Sequence, residues 1–373
     1  MAHYQFKTTP LLLLLFLLLG HSSYSQRDST RHQLTLSGYT DVYVAAFSDS
    51  LGPNALQAFT TVSPRDERFG LNVAQISADY QSERVRGRLT LHWGDIAQAT
   101  WSEEFRAVQE AHLGLLLAKD LWLDGGFFHT HIGTESFLPK NNLLSSTAVA
   151  TYNEPFFQSG ARLSYEGSKR WDVALWIVSG YNLYLDVNDA KSVGLLLSYR
   201  LSERTDLTYT NLFGRESLDG VQPRQYRSYQ NMYLTSGLGS RIRLIVGGDF
   251  GSQSHSKGTA LSQTALMYNA LATIRYQLRP SYSLTTRAEV FQDRAGFISG
   301  LLPSTNGRPE GLQLMGVTLG GEYIPQPGAY LRAEIRYLRT ADHQPIFYTD
   351  GPTSQRWEAM ITMGYTFEKL VRW

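Results

Sequence analysis

His129 and His131, one residue apart and followed by Glu135, are the first residues whose types and spacing suggest chemistry. Side chains two apart on a strand share a face. Two imidazoles and a carboxylate gathered there would be a donor set for zinc. The plainer reading is a pair of histidines in a loop or rim, and no metal site is assigned. Asp342 or Asp350 with His343 has the acid–imidazole pairing of a rim protease, but lies in an ordinary polar loop. His92 and His112 have no serine partner in the pattern that a lipid hydrolase needs. No catalytic residue is therefore assigned. No glycine-rich loop follows a strand and opens a helix, so no nucleotide cofactor is expected. The sequence contains no cysteine, which excludes disulfides, thiolate metal sites and an acylated lipoprotein cysteine.

The charged residues carry a clearer message through their spacing. Arg84, Arg86 and Arg88 alternate with Val85, Leu89 and Leu91. Arg241 and Arg243 interleave with Ile242 and Leu244, Arg287 and Glu289 with Ala288 and Val290, and Arg332, Glu334 and Arg336 with Leu331, Ala333, Ile335 and Tyr337. Asp41 holds the same place in the segment from Leu34 to Val44. Period two is the mark of strands. A face bearing several charges must meet water or partners, and the opposite apolar face can then meet lipid.

The elements that carry this alternation number about sixteen, in an antiparallel up-and-down arrangement. They are expected at 34–47, 68–81, 84–96, 107–118, 121–128, 157–166, 171–180, 191–201, 205–213, 227–236, 241–251, 262–278, 281–292, 311–324, 328–339 and 356–368. The connections after even-numbered strands are tight, such as Lys119-Asp120 and Arg279-Pro280. Those after odd-numbered strands are long, such as 48–67 and 129–156. Short turns on one side and long loops on the other define an all-β transmembrane barrel, with short periplasmic turns and long extracellular loops. A soluble sandwich would not favour one end so consistently.

The first residues fit export. Leu11 to Leu19 is an apolar run too short to span a bilayer, followed by Ser23-Tyr24-Ser25, and a signal peptide is expected over 1–25 with cleavage before Gln26. Residues 26–373 then form one barrel domain; the eight residues from 26 to 33 leave no room for a plug domain. Charge is balanced, with 34 basic and 33 acidic residues, so no nucleic-acid partner is indicated. A mean hydropathy of −0.25 is compatible with a barrel, in which only alternate residues face lipid.

Several segments resemble the OmpL-like β-barrel porin-2 family of Bacteroidetes-type bacteria. They are Ser37-Gly-Tyr-Thr-Asp-Val-Tyr43, Gln109-Glu-Ala-His-Leu-Gly114, Leu121-Trp-Leu-Asp-Gly-Gly126 with His131-Ile-Gly-Thr-Glu135, Ser179-Gly-Tyr-Asn182 with Lys191-Ser192, and Arg287-Ala-Glu-Val-Phe-Gln-Asp-Arg-Ala-Gly296. Gly364-Tyr-Thr-Phe367 is similar to the aromatic signal read by barrel-assembly machinery. The resemblance implies a barrel and a passive channel, and supplies no substrate or catalytic residue.

At 16–18 strands a barrel encloses water. The expectation is a porin passing small hydrophilic solutes, seated in outer-membrane lipid and lipopolysaccharide, monomeric or a homo-trimer. By analogy with general porins, the longest loop, 129–156, folds inward, bringing Glu135, Lys140 and Glu154 to a constriction. The ladder of Arg84, Arg86 and Arg88 would face it across the pore and set a transverse field. The alternative for these arginines is pairing with acids on neighbouring strands. Two rivals to the channel are carried forward: a closed structural or adhesive barrel serving as a scaffold, and a barrel hydrolase.

Overall fold

The computed structural model describes residues 32–49, 51–52, 55–257 and 262–373. The expected export signal lies outside them. Sixteen antiparallel strands form one closed ring. They are β1 (Gln33–Phe47), β2 (Arg68–Gln81), β3 (Val85–Trp93), β4 (Val108–Ala118), β5 (Leu121–His129), β6 (Phe157–Tyr165), β7 (Trp171–Val178), β8 (Ser192–Ser202), β9 (Thr205–Arg215), β10 (Tyr226–Leu238), β11 (Ile242–Lys257), β12 (Gln263–Arg279), β13 (Tyr282–Gln292), β14 (Gln313–Tyr323), β15 (Ala329–Thr340) and β16 (Gln355–Arg372). Each pairs with its sequence neighbours, and β16 closes the ring on β1, from Gln33 opposite Arg372 to Phe47 opposite Glu358.

Alternation in the sequence becomes alternation in burial. Along β16, Arg356, Glu358, Met360 and Thr362 are buried in the interior, whereas Trp357, Ile361, Met363 and Tyr365 are exposed on the outside. Met315, Val317 and Leu319 of β14 are each more than half exposed, a cost no water-soluble sheet would bear across its whole outer surface. Aromatic pairs border this belt. Trp171–Tyr199 and Tyr282–Tyr323 lie at the tight-turn end, Phe213–Tyr226 and Tyr337–Trp357 at the other. Amphipathic rings at two levels fit the two interfaces of a bilayer.

Local chemistry sets the element ends. Lys119-Asp120 is a two-residue hairpin connection, with Asp120 in the left-handed region at φ 60°, where Asp is tolerated. Strand β3 stops at Trp93, short of the expected Ile96, because Gly94 adopts φ 127° and a Cβ there would meet the Asn72 carbonyl oxygen at 2.5 Å. The chain turns into a short helix, α1 (Asp95–Thr100). Tyr43 Oη donates to Asp95 at 2.6 Å and Arg65 Nε donates to it at 2.9 Å, which ties the first two long loops to the wall. Strand β11 runs to Lys257, so the expected loop at 252–261 is much shorter. The last strand extends past 368, its end pairing only with β1.

Candidate functional site

The interior is built from two layers that the alternation places on the same face. Along β13 the inward residues run Thr285, Arg287, Glu289, Phe291, and along β15 they run Arg332, Glu334, Arg336, Leu338. Charges occupy the middle and apolar groups take over toward the long-loop end. The apolar layer continues round the ring through Phe128, Trp176, Tyr229 and Met267, all under 5 % exposed.

Between these layers lies the third long loop, residues 130–156, with a second short helix, α2 (Val149–Asn153). The wall charges hold it. Arg332 Nη1 donates to the Pro139 carbonyl at 2.8 Å and Nη2 to that of Asn142 at 3.0 Å. Glu334 accepts the Ser145 and Ser146 amides and the Ser146 hydroxyl. Glu289 accepts the Val149 amide at 2.6 Å. Arg287 donates to both Glu135 oxygens at 3.1 Å and to the Ser146 carbonyl at 2.7 Å. Backbone without a strand partner thus finds charged partners inside the barrel, as buried polar groups must. Val149 and Ala150 of α2 pack into the apolar layer with Phe59 of the first loop and Phe347 of the last. Thr61 and Thr147 hydroxyls meet at 2.8 Å, so the first and third loops touch across the interior. The long-loop half of the lumen is occupied by packed loops.

The wall charges also neutralise one another. Glu322 receives Arg332 at 2.6 Å and Arg275 at 2.9 Å. Arg336 bridges Glu289 at 2.8 Å and Glu358 at 3.4 Å, and Arg356 meets Glu358 at 2.6 Å. Charges this deep are tolerable only when paired. Arg287, Glu289, Arg332, Glu334 and Arg336 therefore point inward as the spacing predicts, but the loop covers them and they do not line open water. Asp41 is also inward and covered, accepting from Asn72 at 2.6 Å, with Tyr39 and Tyr330 beside it.

The arginine ladder differs from the expectation. Arg84 sits in the turn before β3, so the strand carries two arginines of the three. Arg86 forms a fork on Asp124 at 2.7 and 2.6 Å and reaches Glu166; Arg88 meets Glu110 at 2.8 Å and Asp79 at 3.3 Å. This is the pairing alternative rather than a free cationic wall. Of the loop residues, Glu135 is spent on Arg287, and Lys140 lies over the Tyr39 ring at 4.7 Å. Burial lowers the Lys140 pKa, and Arg88 lowers it further. Arg241 stands in the turn before β11, donating to Tyr276 Oη at 3.5 Å, and Arg243 faces the lumen.

His129 and His131 do not converge. His131 stacks on Trp176 with ring centroids 4.8 Å apart; its Nε2 contacts the Asn211 carbonyl at 2.8 Å and its Nδ1 the Gln158 amide oxygen at 3.1 Å. Burial lowers its pKa to about 4, so it is neutral. His129 lies instead 3.7 Å from Glu110. Among the described residues no group of three metal-ligating side chains is assembled. The His343 ring is engaged by Glu310 and Gln313, each at 3.2 Å, and Asp342 binds Arg339. His92 contacts Gln109, and His112 stacks on Phe128.

Reasoning from sequence missed two of the acids that neutralise the wall, Asp124 and Glu322. Each was readable as a charge at inward parity on its strand. It also missed the apolar layer, whose signal was the change from Glu289 to Phe291 and from Arg336 to Leu338 on a single face.

A closed sixteen-strand barrel with an apolar belt, a charged interior and one long loop folded against its inner wall defines an outer-membrane porin. The chain belongs to the family described as "Putative beta-barrel porin-2, OmpL-like", which it matches over residues 33–367. No curated protein matches it. Among solved structures it is similar to the anion-selective porin from Comamonas acidovorans, at 8 % identity and a TM-score of 0.62, covering 90 % of this chain and 100 % of that one. The outer-membrane channel DcaP of Acinetobacter baumannii gives 9 % identity and a TM-score of 0.62, covering 93 % and 100 %. OmpT of Vibrio cholerae, in a trimer form, gives 9 % identity and a TM-score of 0.58, covering 90 % and 99 %. At such identities the likeness is one of fold. The turns are thus periplasmic and the long loops extracellular, and family and fold point to a channel rather than an enzyme.

Proposed function

We propose that the barrel conducts small hydrophilic solutes and ions when its third loop withdraws from the inner wall, and that the packed arrangement is the closed state. The observation that carries this is how the loop is held. Its attachments to Arg287, Glu289, Arg332 and Glu334 are polar and can be exchanged for water. On the opposite side, beside Tyr233, Thr235 and Arg243, a recess of about 430 Å³ separates loop and wall. The second reading is a barrel that stays shut and acts as a scaffold or adhesin; the apolar layer around Trp176, Tyr229 and Phe291 favours it. Export by a signal peptide cut before Gln26, insertion by the assembly machinery into lipid and lipopolysaccharide, and assembly as a trimer complete the proposal. The trimer form of the Vibrio cholerae protein supports that last point.

Planar-bilayer recording of the purified, folded protein tests the channel. Stepwise conductance is expected from the wild type, larger and more persistent when residues 136–151 are replaced by a short glycine-serine link. Silence from both proteins would overturn the channel in favour of the scaffold.

A further inference from the structure

At the periplasmic end of the wall of β9 to β12 the third loop reaches Arg275 through the Leu143 carbonyl and leaves the rest open. A recess of about 590 Å³ opens there, between the turns at 203–204 and 239–241. Within it, Arg243 of β11 lies directly opposite Arg275 of β12 in the sheet register. Directly opposed residues in an antiparallel pair have Cβ atoms only ~4.5–5.5 Å apart, and like charges there destabilise the sheet.

The two guanidinium groups differ in what surrounds them. Arg275 is satisfied: Nη1 meets Glu322 at 2.9 Å, Nε donates to Thr285 at 3.1 Å, and Nη2 donates to the Leu143 carbonyl. Arg243 is exposed and has no hydrogen-bond or ion-pair partner among the described residues. Its neighbour on the other flank is Gly237, which offers no side chain. Arg204 and Arg241 line the rim together with Glu203 and Asp206; Arg204 donates to the Gly239 carbonyl at 2.8 Å, and Asp206 is 3.5 Å from Arg200. Elsewhere on the inner wall Arg86, Arg88, Arg162, Arg287, Arg332 and Arg336 meet acids; here the acid that would face Arg243 is missing.

We propose that Arg243, set against Arg275, anchors a binding site for oxyanions: a carboxylate or phosphate group on a small solute at the periplasmic mouth of the lumen. A guanidinium presents a planar fork that matches such a group with two parallel hydrogen bonds. The ligand would relieve the opposed charges, which a chloride ion does less well for want of two acceptor atoms. The site is open to water, so binding is weak and screened by salt. The inference rests on the channel reading only for the route by which the solute arrives.

Inorganic phosphate is the probe, titrated into the folded barrel in dodecyl maltoside at low ionic strength and followed by ³¹P line broadening. Arg243→Gln is expected to weaken phosphate about tenfold, the scale of one charge-assisted contact. Arg308→Gln, in an extracellular loop, is expected to leave it unchanged. No phosphate binding by the wild type, equal binding by Arg243→Gln, or equal weakening by Arg308→Gln would each overturn the site. Bilayer conductance of the same samples separates the two claims. Phosphate binding without conductance keeps the site and removes the channel; conductance without phosphate binding does the reverse.

Discussion

Glu154 closes the third loop, buried against Asp249 of β11. Asp249 is already engaged by the amides of Asn231 and Asn269, so Glu154 receives no donor from it. The Tyr229 and Tyr181 rings and Glu135 complete the surroundings, and Arg227 is stacked over Tyr181 at 4.6 Å. Burial first, and the Asp249 charge second, raise the Glu154 pKa well above its ordinary 4.5. An acid whose pKa is raised in the docked state binds its proton more tightly there than in the released state. Its contribution to docking is therefore complete below pH 4.5 and is lost as pH rises through the raised value. Ionised, Glu154 and Asp249 would be two carboxylates sharing one dry site. Open probability in bilayers is expected to rise with pH in the wild type. Glu154→Gln is expected to abolish that rise and hold the channel closed. A pH profile unchanged by Glu154→Gln would show that the loop is held by other groups.

At the scale of elements, strand positions were legible because inward and outward faces obey different solvents. Each of the sixteen expected strands exists, most with ends within a few residues. The misses have local causes. Gly94 ends β3 through a backbone angle that a β-branched residue resists, and periodicity carries no sign of it. The course of the third loop was legible only by analogy, because contacts such as Ser145 with Glu334 join residues nearly two hundred positions apart. A separation of 86 positions likewise hid Thr61 and Thr147, whose hydroxyls lie 2.8 Å apart and join the first loop to the third. Because the chain has no cysteine, Thr61→Cys with Thr147→Cys introduces the only thiols, in place of two hydroxyls in contact. The oxidised double variant is expected to stay shut in bilayers, and a reductant is expected to restore wild-type steps. Equal conductance before and after reduction would mean that solutes pass without the two loops parting.

For the whole molecule, sidedness follows from lengths. Seven connections are tight turns at the end that also holds His32 and Trp373, whose backbones pair at 3.0 and 3.1 Å. Among the described residues the long connections lie at the other end, and Phe59, Val149 and Phe347 of the first, third and last of them meet in the interior. A barrel inserted from the periplasm must carry across the membrane whatever becomes extracellular, and its termini remain behind with the turns. The arrangement puts the oxyanion recess at the inner mouth and the packed loops at the outer one. A solute entering from outside then meets the closed loops before the free guanidinium, and one inside can bind Arg243 without opening them. Sidedness is tested in intact cells with single cysteines and a maleimide that cannot cross the outer membrane. Asn306→Cys, exposed in the seventh long loop, is expected to label at once. Lys169→Cys, exposed in the turn between β6 and β7, is expected to label only after the outer membrane is permeabilised. Immediate labelling of Lys169→Cys with protection of Asn306→Cys would invert the barrel, and with it the order in which a solute meets gate and site.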